Sequence, residues 1–104
     1  MSTLHIISAS PFSSGLLQRC LSVCAPGDAM LFIQNGVYIV QSPALLTGET
    51  WKDEGLTDRG TEVYVLTEDL DARGLTAGQS NLQQISYDGF VTLVCRHRNS
   101  INWY

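Results

Sequence analysis

Charge is scarce in this chain: its six basic and ten acidic residues make up 15% of 104 positions, against roughly a quarter in an ordinary soluble domain. Part of the surface is therefore expected to be uncharged or apolar, as a subunit interface is. Positive charge is scarcer still. With a net charge of −4, a pI near 4.8 and Arg96-His97-Arg98 as the one basic cluster, the chain lacks the basic face that phosphate neutralisation requires, and direct contact with nucleic acid is not expected. No GxGxxG or GxxxxGK[ST] follows a strand, so dinucleotide and P-loop functions have no support. A flavin site would leave little trace in a sequence, but nothing points to one. No cysteine or histidine pair among Cys20, Cys24, His5 and His97 has the CxxC or HxxxH spacing of common zinc sites. Neither metal nor cofactor is expected. No apolar run approaches the roughly eighteen residues of a membrane span, and Met1 to Ser8 has neither a basic n-region nor an apolar stretch long enough for export. The three cysteines are odd in number and fit no disulfide framework. Reduced thiols in a cytoplasmic protein are the expectation, without membrane contact. There is no repeat, linker or low-complexity segment, and the length suits one domain, residues 1–104.

The 44% hydrophobic content is arranged as short runs between turn signals. Leu4 to Ser8 is β-branched enough to be a first strand, stopped by Ser10-Pro11. From Phe12 or Ser13, the apolar residues Leu16, Leu17, Cys20, Leu21 and Cys24 mark one stripe of a helix, capped by Ser13 or Ser14 and ended by Pro26-Gly27. Ala29 to Ile33 is continuously apolar, as a strand covered on both faces is, and is the expected central strand. Asn35-Gly36 suits a type I′ hairpin or a strand-to-helix turn. The turn is preferred, because Ser42-Pro43-Ala44-Leu45-Leu46 follows with proline at a helix start.

Thr47 to Gly60 reads as loop. Thr61 to Leu66 is a third strand, Asp69 to Gly74 a helical turn ended by glycine, and Gln83 to Tyr87 a weak fourth strand. Asp88 is the expected cap of a helix that carries Phe90, Val91, Val94 and Cys95 and ends near Arg96, His97 and Arg98, where positive charge is favourable. The tail Ile101-Asn102-Trp103-Tyr104 is either docked on its own domain or offered to a partner. The fold class that follows is α/β, a three-layer α/β/α domain with a mainly parallel sheet of about five strands.

Chemistry is thinly represented. Cys20 is the one thiol considered as nucleophile or sulfur carrier, although its stripe position equally fits a buried, inert cysteine. A reactive thiol needs a helix N-terminus or a nearby cation, and Cys20 lies past mid-helix. Core packing is expected for Cys24 and Cys95, and structural roles for His5 and His97. Glu68, Asp69 and Asp71 form a charged corner after the third strand, more fitting as a contact surface than as an acid/base pair.

Taken in order, several segments resemble the DsrH/TusB family of sulfur-relay subunits over essentially the whole chain. They are Leu4-His5, Ser10-Pro11-Phe12, Gly27 to Phe32, Gln34 to Val37, Val63 to Leu75, Ile85 to Val91 and Trp103. The resemblance implies a small α/β/α domain that joins two related subunits, TusC/DsrF-like and TusD/DsrE-like, in a heterohexamer. Such a complex hands persulfide sulfur from an upstream carrier to a downstream one. In the TusB-like branch the sulfur reaches 2-thiouridine at the tRNA wobble position; the DsrH-like branch serves dissimilatory sulfur oxidation. The principal sulfur-carrying cysteine belongs to the TusD/DsrE-like sister, so this subunit is expected to be mainly architectural and non-catalytic. Cys20 falls where DsrH-like members carry a cysteine, which keeps open a sulfurtransferase acting through Cys20 itself. A binding module of unrelated role that self-associates is the other alternative. The Glu68 to Arg73 corner and the Trp103 tail are the first candidates for partner contact.

Overall fold

The short apolar runs separated by turns become five parallel strands in a computed structural model that describes residues 2–10, 19–20, 23, 25, 27–41, 62–76 and 82–103. The elements are β1 (Thr3–Ile7), β2 (Ala29–Phe32), a 3-10 helix η1 (Gln34–Gln41), β3 (Glu62–Leu66), α1 (Thr67–Ala72), β4 (Gln83–Ile85), α2 (Tyr87–Arg96) and β5 (Asn99–Trp103). Between β1 and β2, Arg19, Cys20 and Val23 are helical, as the stripe requires; the start of that helix and its Ser13 or Ser14 cap lie outside the described residues. The expected helix at Pro43 and the loop from Thr47 to Gly60 also lie outside them.

The sheet order is β4-β3-β2-β1-β5 and every pairing is parallel. β2 is the middle strand and all four of its residues are buried, which explains its unbroken apolar sequence. Alternate strand residues feed two clusters. On one face Ile7, Met30, Phe32, Val63 and Val65 pack with Cys20, Val37 and Ile39 of η1, and Leu70 of α1. On the other, Leu4, Ile6, Ala29, Leu31 and Tyr64 pack with Leu93 of α2. Helical segments thus cover both faces, and the class is α/β in three layers.

The differences from expectation are local. The turn at Asn35-Gly36 is already part of η1, and the positive φ falls on Gln34, at 50°. Gly36 is needed for room instead: a Cβ there would collide with the carbonyl oxygen of Ile7 and lie 3.1 Å from its carbon. Helix α1 starts at Thr67, two residues before Asp69, and Gly74 closes it at φ 64°. Ser86, not Asp88, is the cap residue of α2, and its side chain makes no cap bond; Asp88 sits in the first turn, where its charge suits the helix dipole. The aromatic tail is a strand. β5 lies parallel to β1 from Thr3↔Asn99 to Ile7↔Trp103, so the tail is docked on its own domain as far as Trp103; Tyr104 lies outside the described residues. Since β1 has β2 on one side and β5 on the other, the strand order reverses at β1, the place where open parallel sheets form a crevice beyond their carboxyl ends.

Candidate functional site

Cys20 comes to rest in the core. Its exposure is 0%, it packs in the cluster with Ile7, Phe32 and Val37, and it forms no disulfide. A thiol there meets a sulfur donor only if the surrounding core opens. Cys95, expected in the core, is exposed on α2 instead, because the helix turns Phe90 and Leu93 toward the sheet and Cys95 away from it. Cys24 lies outside the described residues. Among the described residues no group of three histidines, cysteines or carboxylates is placed to hold a metal, and no helix is long and apolar enough to cross a membrane.

The two histidines have structural partners. His5 is 1% exposed, with Nε2 at 3.0 Å from Asp28 Oδ2 and Nδ1 accepting the indole N–H of Trp103 at 3.2 Å. The indole only donates, so Nδ1 is bare and Nε2 carries the proton toward Asp28. Asp28 also accepts the backbone N–H of Thr3 at 3.0 Å and of Ala25 at 3.1 Å. Burial pushes its carboxyl up, but the bonds from His5, Ala25 and Thr3 outweigh that, and it sits below its ordinary 3.8. The network ties β1, the turn before β2 and β5 together. His97 Nδ1 pairs with the Ser2 hydroxyl at 2.8 Å. Across the sheet, Tyr64 donates to Glu62 Oε2 at 2.6 Å; burial first, then that carboxylate, pushes its phenol up to about 12.

The charged corner is largely spent on itself. Asp69 Oδ2 accepts the Gln34 N–H at 2.7 Å, holding the one described non-glycine residue with a positive φ. Arg73 donates from Nε and Nη2 to Asn35 Oδ1 at 3.3 and 3.1 Å, and from Nη1 to the Asp69 carbonyl at 3.2 Å. Glu68 Oε2 accepts the Tyr87 N–H at 3.3 Å, at the positive end of α2. These bonds clamp η1 and α2 to α1. Asp71 is exposed, and its carbonyl accepts the Gly74 N–H at 3.2 Å while its carboxylate faces solvent, so the part of the corner open to another molecule is smaller than its sequence suggests.

A groove of about 360 Å³ opens where the strand order reverses. Ile6 and Ser8 from β1 and its end, Ile33 and Gln34 after β2, Phe90 and Val94 of α2, and Ser100 and Asn102 of β5 line it. The lining has hydroxyls, amides and apolar walls but no ionisable group, so it recognises by shape and hydrogen bonding and offers no acid, base or nucleophile. Sequence reasoning missed both this groove and the Asp28–His5–Trp103 network. The period-two alternation of Ser100-Ile101-Asn102-Trp103 was the available signal for β5, and with β5 placed the groove follows.

Comparison with known proteins agrees with this architecture. Residues 9–100 match a protein family described as DsrH like protein. Protein TusB of Escherichia fergusonii and Protein TusB of Escherichia coli O81 are each 35% identical over 101 residues, covering 96% of this chain and 99% of the relative. The solution NMR structure of protein Tm0979 from Thermotoga maritima has the same fold, with a TM-score of 0.64 over 90% of this chain and 92% of that one at 20% identity.

Proposed function

The chain belongs to the DsrH/TusB family of sulfur-relay subunits, and on that premise we propose that it is the architectural, TusB-like member of a cytoplasmic complex that passes persulfide sulfur toward 2-thiouridine at the tRNA wobble position. The observation that carries this reading is the end-to-end similarity to Protein TusB, at 35% identity over 96% of the chain. The site geometry supports the architectural part. Cys20 is enclosed in the core, and no nucleophile or acid/base pair lines the groove. The partners in this reading are the TusC/DsrF-like and TusD/DsrE-like subunits of a heterohexamer. A surface low in charge, with Tyr87, Val91, Val94 and Ile101 exposed, is what assembly into such a complex requires.

The test is the 2-thiouridine content of tRNA in cells lacking this protein, with rescue by the wild-type chain or by Cys20→Ser. Thiolation falls on deletion and both chains restore it. Rescue by wild type alone would make Cys20 a sulfur site, and unchanged thiolation on deletion would reject the tRNA role.

A further inference from the structure

The sheet ends on one side at β5, and the outer edge of this strand meets no other described strand. Asn99 donates to the Ser2 carbonyl and the Trp103 carbonyl accepts from Ser8, which sets the alternation of the parallel ladder. Asn99, Ile101 and Trp103 direct their backbone groups to β1, while the N–H and C=O of Ser100 and Asn102 point outward. Natural edge strands block such groups with charge, proline or a bulge. The sequence Asn99-Ser100-Ile101-Asn102-Trp103 has no charged residue and no proline, and it pairs with β1 in unbroken register.

We propose that two copies of this chain pair antiparallel through the outer edges of β5, about a two-fold axis at Ile101, to form one continuous ten-stranded sheet. The edge fits its own copy. With Ile101 opposite Ile101, Ser100 of one protomer faces Asn102 of its partner, and these are the two residues whose backbone groups point outward. Each such pair exchanges two N–H···O=C bonds, and the axis passes through a non-hydrogen-bonded pair with side chains in contact. Ile101 is 42% exposed on the His5 face and Val94, also 42% exposed, lines the groove beside Ser100 and Asn102 on the α2 face. The pairing therefore has an exposed apolar side chain on each face of the edge. In a chain with net charge −4, the uncharged edge is where two copies approach with least repulsion. The pairing needs no sister subunit, so its failure would leave the relay reading intact, and the tRNA measurement tests that reading separately.

Light scattering after size exclusion, over a micromolar dilution series of the purified full chain, should give a dimer that dissociates on dilution. Asn102→Pro removes an outward N–H and no bond to β1, and should give a monomer with unchanged circular dichroism. Cysteine pairing supplies a second readout that needs no disruption. In a Cys95→Ser background, Ile101→Cys places two Cα atoms about 4.5 Å apart across the axis, within disulfide reach, and should cross-link fully on mild oxidation. Ser100→Cys, two residues out of register with its own copy, should not. A wild-type monomer at every concentration, a dimer that survives Asn102→Pro, or equal cross-linking of the two cysteine variants would overturn the proposal.

Discussion

On the face of the sheet that carries His5, ten buried residues close into one cluster and the polar groups satisfy one another through Asp28. On the α2 face the described cluster has six buried residues, and beside it Val91 and Val94 stand exposed next to an open groove. The strands give five buried residues to each of the two clusters, so the difference is not in how much the strands contribute. It lies in what the chain lays over each face: Cys20, η1 and α1 bring inward-facing side chains to the first, and α2 turns mainly Phe90 and Leu93 to the second. The first face is built to hold the fold. The second leaves apolar surface for association, which is the division expected of a subunit.

The contrast is broken most severely at Asp28. Asp28→Ala leaves His5 and two backbone N–H groups without their acceptor and should cost about 3 kcal/mol in urea unfolding. Gly36→Ala, which drives a Cβ into the Ile7 carbonyl, should cost about 2 kcal/mol on the same assay. Asp69→Asn weakens the clamp on Gln34 and should cost about 1 kcal/mol. It is a poor probe of partner binding for that reason; charge reversal at the exposed Asp71 is the cleaner one. Val91→Ser on the open face should change stability by less than about 0.5 kcal/mol while weakening assembly. A large loss of stability there would erase the distinction between the faces.

Proton titration reads the two faces separately. Asp28 has a folded-state value below 3.8, so its contribution is complete above that pH and is lost as pH falls below it. Acid unfolding should be less steep in Asp28→Asn. Tyr64 is raised from 10.0 to about 12, so its contribution is complete below pH 10 and is lost as pH rises toward 12. One late-titrating tyrosine absorbance should disappear in Tyr64→Phe.

The sequence was most legible where a single local rule decides the outcome. The β-branched run of β1, the unbroken apolar run of β2 and the glycine after α1 each state their own structure. The family was legible as well, from the order of many weak segments. The groove was not, because Ile6, Ile33, Phe90 and Ser100 meet only after β5 crosses back to pair with β1. The internal bonds of the charged corner were hidden for a related reason. Its residues read as free charge in a list of side chains, but Asp69 and Arg73 find partners in Gln34 and Asn35, 35 and 38 residues away. The exposure of Cys95 turned on the phase of α2, where Phe90 and Leu93 took the inward positions.

The bond from Trp103 to His5 joins residues 98 positions apart, and this gives the order of synthesis a role. While the chain is being made, β1 emerges before its second neighbour and waits for it until β2, β3 and β4 have all been translated. During that interval β1 is itself an edge strand, and the His5 imidazole has Asp28 but no indole. Such long-range closure is slow compared with local pairing. Before β5 arrives, the chain offers the edge of β1 to any strand that passes.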